Sequence, residues 1–428
     1  MYRQISREML EFINASPCAR HAVENLTTSF IAEDYIELSE NEEWNIKRGG
    51  RYYVSRAGSS LIAFRIPNDE ISSFQAVLTH NDSPSLKLKP NFELDTADFK
   101  RFSVEKYGGP ILESFFDTPL GIAGSVTVNS GDGVCEKSVY LENACIIPRT
   151  PPHLSKEQGT NPAVDMCPLY SVGRADGLMS VIASSLSVSR DDILSHDLYV
   201  VPCVKGVIWG EKGELVSSPR LDNLQSVFTS FAGFLNSDEC TAIPVMAVFD
   251  NEEIGSGGEE GAGSTFLSDT LERISVSLGK SHEEHLRLLA NSFFVSADGA
   301  HARHPNHPEL FDAANSPTLN GGVAIKYNAN KRYTTTAVSA GLFMQIAKMA
   351  QVPCQTYSNR SDIAGGSTLG HISQSQSSVL TVDVGASMLA MHSAFETAGA
   401  KDTEYLARVF EMFYSVSVER ENNGYVIK

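Results

Sequence analysis

The sequence predicts an α/β fold that is interrupted by a mostly β domain. Apolar runs rich in β-forming residues alternate with helical patterns in the first and last parts of the chain, which is typical of an α/β sheet. Glycines, prolines and short β-like runs dominate residues 88–206 instead. The chain has 428 residues, and a single core seldom grows beyond roughly 250–300 residues. We therefore expect one α/β domain from residues 1–87 and 207–428, and an inserted β-rich domain from residues 88–206.

Four strand-like apolar runs end in polar residues, and helical patterns separate them. The strand-like runs cover residues 76–82, 244–253, 292–298 and 377–385, and the helical patterns include residues 223–235 and 336–351. Ligands of open α/β sheets bind beyond the carboxyl ends of the strands. The polar residues that follow these runs are therefore the candidate site residues.

Composition disfavours several classes of protein. The formal net charge of −18 repels phosphate backbones, so we expect no nucleic-acid partner. We also expect no membrane partner, because no apolar run approaches the roughly 18 residues of a membrane span and the N-terminus does not fit a secretory signal. The seven cysteines form no C-x-x-C motif, which disfavours a disulfide framework and a thiolate zinc site. A reducing, cytoplasmic location is expected.

The adjacent glutamates Glu252 and Glu253 follow a strand-like run that ends at Phe249. Charges in such a place are costly unless something compensates them. A solvated turn is one interpretation. The other is a metal site, in which one carboxylate binds the ion and its neighbour polarises the attacking water.

Three further polar residues stand next to predicted elements. His80 and Asp82 are two residues apart, so extended backbone places them on one face, where Asp82 could accept the second N–H of a metal-bound His80. A turn capped by Asp82 is an equal alternative. Asp222 precedes a helical pattern, where an N-cap is the simpler role and a carboxylate that bridges two metals is the functional one.

A histidine-rich segment begins at the end of the third strand-like run. Asp298 stands at the strand end, and His301 and His304 could face the same cavity. His392 follows the fourth run and is either a core histidine or a ligand. This mixture of carboxylates and imidazoles suits a pair of zinc-like ions better than magnesium or calcium, which prefer oxygen alone.

Nine segments, in the same order, resemble the aspartyl aminopeptidase and vacuolar aminopeptidase I family of cocatalytic zinc metallo-aminopeptidases, in its bacterial form. They are FINASPCARHAVEN, THNDSPSLKLKP, YGGPILESFFDTPL, SPRLDNLQS, FDNEEIGS, SADGAHARHPN, YNANKRYTTTA, GGSTLG and TVDVGASMLAMHS. The resemblance covers nearly the whole chain. It implies a zinc-exopeptidase-like catalytic domain, with a mixed sheet flanked by helices, and an inserted β-rich domain that makes dimer contacts.

The resemblance also implies a role for each candidate residue. Five residues would bind metal: His80, Asp298, Glu253, His392 and Asp222. His80 and Asp298 would hold one ion, and Glu253 and His392 would hold the other. Asp222 would bridge the two ions. Glu252 would be the general base, and Asp82 would orient the first histidine. The implied cofactor is two divalent ions per subunit, with zinc preferred and cobalt or manganese compatible. The implied reaction is removal of the N-terminal residue from peptides.

Assembly and substrate contacts follow from the same resemblance. The family forms tetrahedral dodecamers built from dimers, and His153 aligns with a histidine that relatives supply to the active site of a neighbouring subunit. Lys326 aligns with a lysine that could pair with an acidic substrate side chain. His301 and His304 complete the predicted substrate-binding residues. A surface-loop position for His153 and an exposed position for Lys326 are the alternatives.

Five positions depart from the family's pattern without removing a proposed ligand: Gly299, Gly365, His371, Ala394 and Phe395. They leave acidic and neutral N-terminal residues both open as preferred substrates. Two other functions also remain open. One is another two-metal amide hydrolase, such as a deacylase or carboxypeptidase, and the other is a non-catalytic assembly protein, which would not need all the ligands and the base.

Overall fold

The computed structural model describes residues 2–154, 159–173, 176–366, 368–422 and 424–428. Within these ranges the helices are α1 (Tyr2–Ala15), α2 (Ala19–Ala32), α3 (Pro162–Asp165), α4 (Leu178–Leu186), α5 (Leu221–Asn236), α6 (Phe266–Ser277), α7 (His282–Ala290), α8 (Ala337–Met349), α9 (Leu369–Ser377) and α10 (Ala400–Ser415). Short 3-10 helices cover Leu112–Phe115, Arg190–Asp192, Glu252–Ile254 and Pro308–Leu310.

The strands of the same ranges are β1 (Ile36–Glu37), β2 (Arg51–Arg56), β3 (Ser60–Arg65), β4 (Ser73–His80), β5 (Ser85–Asp95), β6 (Phe99–Tyr107), β7 (Leu120–Asn129), β8 (Val134–Cys145), β9 (Leu169–Val172), β10 (Ile193–Pro202), β11 (Val207–Trp209), β12 (Leu215–Ser218), β13 (Ala242–Phe249), β14 (Phe293–Ala297), β15 (Ala300–His301), β16 (Val323–Lys326), β17 (Cys354–Tyr357), β18 (Leu380–Gly385), β19 (Ser387–Leu389), β20 (Glu396–Gly399), β21 (Val418–Glu421) and β22 (Gly424–Ile427).

The largest sheet is mixed and has the strand order β1-β2-β3-β13-β4-β14-β18-β16-β17. Its centre is parallel, because β4 runs parallel to both β13 and β14, and β14 runs parallel to β18. The neighbours β3 and β16 join this centre in antiparallel pairs. Strands β4, β13 and β14 are buried along their whole lengths, as expected for parallel strands covered on both faces. The α/β prediction is confirmed.

Helices cover both faces of this sheet and form two apolar cores with it. Helices α1, α2, α5, α8 and α10 contribute to one core, and α6, α7 and α9 contribute to the other. The close crossing of α5 and α10 requires a glycine, because a Cβ atom at Gly233 would lie 2.6 Å from the backbone nitrogen of Glu411. Both helical patterns expected from the sequence are present, as α5 and α8.

One predicted strand begins later than the sequence suggested. The apolar run was expected from residue 377, but α9 continues to Ser377 and β18 begins at Leu380. Ser378 adopts a left-handed conformation with a φ of 53° and its backbone N–H bonds to the carbonyl of Gln374, which ends the helix. The end of the helix and its cap therefore take the first two residues that the apolar pattern had assigned to the strand, Ser377 and Ser378.

A second sheet contains six antiparallel strands in the order β8-β7-β10-β5-β6-β9. It has an apolar core of its own, which includes Leu86, Phe102 and Leu198. Strand β5 follows β4 after only four residues, so the polar segment after β4 also connects the two sheets. This connection places the ends of β4 and β6 close to each other.

A third sheet has the order β11-β12-β20-β19-β15, and β21 and β22 form a hairpin at the end of the chain. The turn between β19 and β20 carries His392.

Among the residues described, no helix combines the length and the apolar character that crossing a membrane requires.

Candidate active site

Three strand ends meet at one edge of the nine-stranded sheet. His80 is the last residue of β4, Asp298 directly follows β14, and the glutamates Glu252 and Glu253 form a short 3-10 helix after β13. Because β4 lies between β13 and β14 and all three are parallel, their carboxyl ends are adjacent. Side chains that are more than 200 residues apart in the sequence, such as those of His80 and Asp298, therefore come into contact.

His80 and Asp298 form one part of the site together with Asp222. The Nε2 atom of His80 lies 3.3 Å from Oδ1 of Asp298 and 3.5 Å from Oδ1 of Asp222. His80 and Asp222 are almost completely buried. This part of the site thus presents an imidazole nitrogen and two carboxylates to one point.

His392 and Glu253 form the other part, and Asp222 belongs to it as well. The Nε2 atom of His392 lies 3.6 Å from Oδ2 of Asp222 and 3.5 Å from Oε2 of Glu253. The two oxygens of Asp222 therefore face two different imidazoles. Its buried Oδ1 has no hydrogen-bond partner among the described residues, which leaves this oxygen available to a cation.

Asp222 does not cap helix α5, which was the simpler interpretation of its position. The N-cap residue of α5 is Arg220, and Asp222 itself has non-helical dihedral angles inside the first turn. Its backbone N–H donates to the carboxylate of Glu396 at 2.9 Å. The irregular first turn directs the Asp222 carboxylate towards the two histidines.

Hydrogen bonds fix the orientation of both imidazoles. The Nδ1 atom of His80 lies 3.2 Å from the Asp82 carboxylate, and the Nδ1 atom of His392 lies 3.1 Å from the carbonyl oxygen of Gly109. Since these oxygens only accept, each Nδ1 carries the proton in the neutral ring and each Nε2 keeps a free lone pair. Both lone pairs point towards Asp222, as metal-binding histidines require.

Asp82 also orders the pair of glutamates. Its carboxylate accepts the backbone N–H groups of Glu252 and Glu253, each at 3.1 Å. The same carboxylate contacts His80. One buried side chain therefore links the end of β4 to the 3-10 helix that follows β13.

The electrostatics of the site call for additional positive charge. Burial raises the pKa of Glu252 to about 8, and nearby carboxylates add to the effect. Burial and the Asp222 carboxylate raise the pKa of Glu253 well above its ordinary value. Although burial opposes it, the nearby carboxylates of Asp222 and Asp298 raise the pKa of His80. Crowded carboxylates that resist ionisation indicate a site built for cations.

The geometry fits a pair of divalent ions. Three groups of ligand atoms each lie within 4.8 Å of one another: His80–Asp222–Asp298, Asp222–Glu253–His392 and His80–Glu252–Glu253. The first two groups share Asp222. The closest ligand atoms are 3.3–3.6 Å apart. Ligands of a tetrahedral zinc ion at 2.0–2.1 Å are separated by about 3.3–3.4 Å. The mixture of imidazole nitrogens and carboxylate oxygens is also a zinc-type set.

Comparison with known proteins identifies the family. A family model described as "Aminopeptidase I zinc metalloprotease (M18)" matches residues 12–414. The chain belongs to this M18 aminopeptidase family. The family prediction is therefore confirmed, and so is the prediction of a metal-dependent aminopeptidase, a hydrolase of peptide bonds. The predicted cofactor, a pair of divalent ions with zinc as the preferred metal, agrees with the family and with the ligand groups.

Two M18 relatives and one solved structure illustrate the similarity. The "Probable M18 family aminopeptidase 2" of Clostridium acetobutylicum is 36% identical, over 96% of this chain and 99% of the relative. The "Aspartyl aminopeptidase 1" of Schizosaccharomyces pombe is 35% identical, over 95% of this chain and 94% of the relative. The "Structure of S. cerevesiae mApe1 dodecamer" superposes with a TM-score of 0.85 at 25% identity, over 96% of this chain and 97% of that one.

Lys326 lies at the edge of the cluster of candidate metal ligands in this M18 aminopeptidase. Its ammonium group is 3.0 Å from Oδ2 of Asp298 and 5.4 Å from the centre of the Tyr333 ring. The side chain is only 2% exposed, so the alternative of an exposed lysine is wrong. Although burial raises it, the pKa of Asp298 is held below its ordinary range, chiefly by this ammonium group.

The three other predicted substrate-binding histidines differ in position. His301 is exposed, and its ring centre lies 6.2 Å from that of Tyr357. Desolvation and the Lys326 ammonium lower the pKa of His301. His304 makes local contacts: it accepts a hydrogen bond from the backbone N–H of Asn306, and its ring lies next to that of His307. His153 lies exposed in a turn of the segment that follows β8. Within the described part of the chain, neither His304 nor His153 forms a hydrogen bond or ion pair with the candidate metal ligands.

Two residues that contact the site were missed by the sequence analysis. Glu396 is buried and accepts the backbone N–H groups of Asp222 at 2.9 Å and His392 at 2.7 Å. Tyr107 donates its hydroxyl to Asp82 at 2.8 Å. Tyr107 stands in one of the segments that carried the family resemblance, and Glu396 lies three residues beyond another. Neither residue follows a parallel strand, so the search for polar residues at strand ends did not find them.

Replacing His80 with alanine tests the assignment of the first ion. We expect the H80A variant to retain about one zinc ion per subunit or fewer where the parent retains two, because three-ligand sites lose affinity sharply without one ligand. Metal content after dialysis, measured by mass spectrometry, gives the number.

The matched control is His304→Ala, which removes an imidazole with only local contacts. This variant should keep the parental zinc content. Equal zinc contents in the H80A and H304A proteins would remove His80 from the ligand set.

Proposed function

We propose that this enzyme removes the N-terminal residue of peptides by hydrolysis, with Glu252 as the general base. The observation that carries this proposal is the arrangement of two imidazoles on opposite sides of Asp222 with the Glu252–Glu253 pair beside them. Such a cluster can bind a pair of ions and keep one carboxylate for proton transfer.

The metal ligands divide into two sets in this proposal. His80 and Asp298 would hold one ion, His392 and Glu253 would hold the other, and Asp222 would contact both. When bound, the ions would polarise the scissile carbonyl group and lower the pKa of the water that attacks it. Asp82 and the Gly109 carbonyl would keep the two imidazoles in the required orientation.

Glu252 performs the proton transfers. Burial raises the pKa of its carboxylate, and the positive charge of bound ions would lower that pKa again, so that the ionised form is available as a base at neutral pH. A base of this strength can take a proton from the attacking water and then give it to the leaving amine. The hydrogen bond from the backbone N–H of Glu252 to the Asp82 carboxylate holds the base next to its acidic neighbours.

Lys326 is proposed to select an acidic N-terminal residue. A buried ammonium group beside the metal cluster is a suitable partner for a substrate carboxylate. The name of the Schizosaccharomyces pombe relative, "Aspartyl aminopeptidase 1", agrees with this preference. The close contact with Asp298 favours the alternative, a neutral preference, because it already engages the ammonium group.

We further propose that residues 88–206 form a dimerisation domain and that the subunits assemble into a tetrahedral dodecamer. Several large apolar side chains of this segment are exposed: Val134, Leu154, Val164 and Val172. Exposed apolar groups of this size suit a protein interface. The similar mApe1 structure is described as a dodecamer.

A cytoplasmic location is proposed as well, since all seven cysteines are free thiols.

Replacing Glu252 with glutamine tests the mechanism. The amide cannot take a proton, so we expect kcat to fall by about 100- to 10,000-fold. Zinc content should stay at the parental value. The assay is the rate of hydrolysis of aminoacyl anilides with a free amine, and an N-acetylated anilide separates aminopeptidase activity from that of a deacylase.

The control for this variant is Glu283→Gln, because Glu283 is exposed on α7 and far from the site in the fold. Its turnover should match the parent. Parental turnover in the E252Q protein, or cleavage of the acetylated anilide alone, would contradict the proposed function.

Replacing Lys326 with methionine tests the acidic preference. We expect the ratio of kcat/KM for aspartyl anilide to that for leucyl anilide to fall about tenfold or more, because a charge-assisted contact worth roughly 1.5–3 kcal/mol is lost. Lys331→Met, at an exposed position, is the control. An unchanged ratio would mean that Lys326 serves Asp298 and not the substrate.

Mixing two variants tests whether His153 acts in a neighbouring subunit. Co-expression of H153A and E252Q chains should restore activity, because an H153A subunit keeps Glu252 and receives His153 from its neighbour. Each variant alone should be impaired. If the co-expressed protein is no more active than the sum of the two separate variants, His153 does not act across subunits.

A further inference from the structure

We propose that residues 107–109, the tyrosine and two glycines at the end of β6, position both sets of metal-binding side chains. This inference rests on the proposed ligand assignment. It gives a strand of the six-stranded, β-rich sheet a direct part in building the metal centre of the nine-stranded sheet. In this view Tyr107 is a positioning residue, because its hydroxyl acts on the site through Asp82.

The Tyr107 hydroxyl completes the set of donors around Asp82. Oδ1 of Asp82 receives the His80 ring N–H at 3.2 Å and the backbone N–H of Glu252 at 3.1 Å. Oδ2 receives the backbone N–H of Glu253 at 3.1 Å and the Tyr107 hydroxyl at 2.8 Å. The shortest of the four bonds is therefore the one that comes from the β-rich sheet.

A hydrogen bond to a buried carboxylate is strong and directional. The Tyr107 hydroxyl also lies 3.0 Å from Oδ1 of Asn251, but Asp82 is the nearer and charged acceptor. Without the hydroxyl, Oδ2 of Asp82 would keep a single donor, and the carboxylate could rotate away from His80. The Nδ1 proton of His80 would then keep only the backbone carbonyl of Asp82, which also lies at 3.2 Å, and the direction of its Nε2 lone pair would be less firmly fixed.

The two glycines contact the other set of ligands. The carbonyl oxygen of Gly109 accepts the His392 ring N–H at 3.1 Å. Gly108 has a φ of +68°, and a Cβ atom there would lie 3.1 Å from Cβ and 3.2 Å from the carbonyl oxygen of Glu253. The chain after Tyr107 therefore packs directly against one ligand and orients another.

The fold holds this segment rigidly. Tyr107 is 7% exposed, and its ring packs edge-on against Tyr199 of β10 with ring centres 5.3 Å apart. In the β5–β6 pairing Tyr107 stands opposite Ser85, which lies in the strand that follows the β4 end. Three neighbouring strands, β10, β5 and β6, thus fix the phenol relative to His80.

The experiment compares Tyr107→Phe with Tyr199→Phe. The first variant removes only the hydroxyl that contacts Asp82. The second removes a hydroxyl from the ring that packs against Tyr107, and among the described residues this hydroxyl forms no hydrogen bond with the proposed ligands. Two readouts apply to the complete, assembled protein. The zinc dissociation constant is measured by competition with a chromophoric chelator, and the visible absorption spectrum is recorded after loading with cobalt.

We expect the zinc dissociation constant of Y107F to rise about tenfold or more, as for other residues that orient metal ligands. The cobalt spectrum should change, and kcat should fall while KM stays near the parental value. Y199F should match the parent in all of these measurements. A dissociation constant within about twofold of the parent, or an equal rise in Y107F and Y199F, would overturn the inference.

Failure of this inference is distinguishable from failure of the proposed function. The zinc and cobalt measurements do not depend on turnover, whereas the base assignment is decided by turnover of E252Q. A purely structural role of Tyr107 would lower the melting temperature and leave the dissociation constant of the folded protein unchanged, which is again the overturning result.

Discussion

Everything at the active site depends on the burial of several carboxylates around two imidazoles. Asp82 and Asp222 are 4% and 3% exposed, so water cannot screen their charges from those of Glu252, Glu253 and Asp298. Such a cluster is unfavourable unless hydrogen bonds and cations compensate it. Backbone N–H groups and the Lys326 ammonium compensate part of the charge. The zinc ions of the M18 family supply the kind of charge that the remainder requires.

The fold provides the hydrogen bonds and leaves the remaining lone pairs free for metal. Asp82 uses both oxygens to bind groups of the protein, and it therefore acts as a support. Asp222 keeps its Oδ1 free of such bonds, whereas its backbone is held by the Glu396 carboxylate and the Ser83 hydroxyl. Two acidic residues with similar burial thus have different chemical roles. Their hydrogen-bond partners, and not their amino-acid type, determine which one is available to a cation.

The two sheets of the structure contribute to the site in different ways. The nine-stranded sheet supplies His80, the glutamate pair and Asp298 from three adjacent parallel strands. The six-stranded sheet supplies contacts to Asp82 and His392 from the end of β6. A metal centre supported from two sheets is sensitive to their relative position. An assembly that stabilises the β-rich sheet would therefore also stabilise the site.

The sequence by itself determined the α/β class, the strand ends that carry His80, Glu252, Glu253 and Asp298, and the family. Local periodicity and composition specify the class and the strand ends, because a buried parallel strand must be apolar and must end where polar residues begin. The ordered motifs carried the family resemblance, which also implied which residues share an ion. Only the tertiary structure shows the contacts that bring these residues together. It placed β4 between β13 and β14, turned the oxygens of Asp222 towards two histidines, buried Lys326 and brought Tyr107 and Glu396 to the site. Contacts between residues far apart in the chain depend on strand order and side-chain direction, and one-dimensional spacing encodes neither of them.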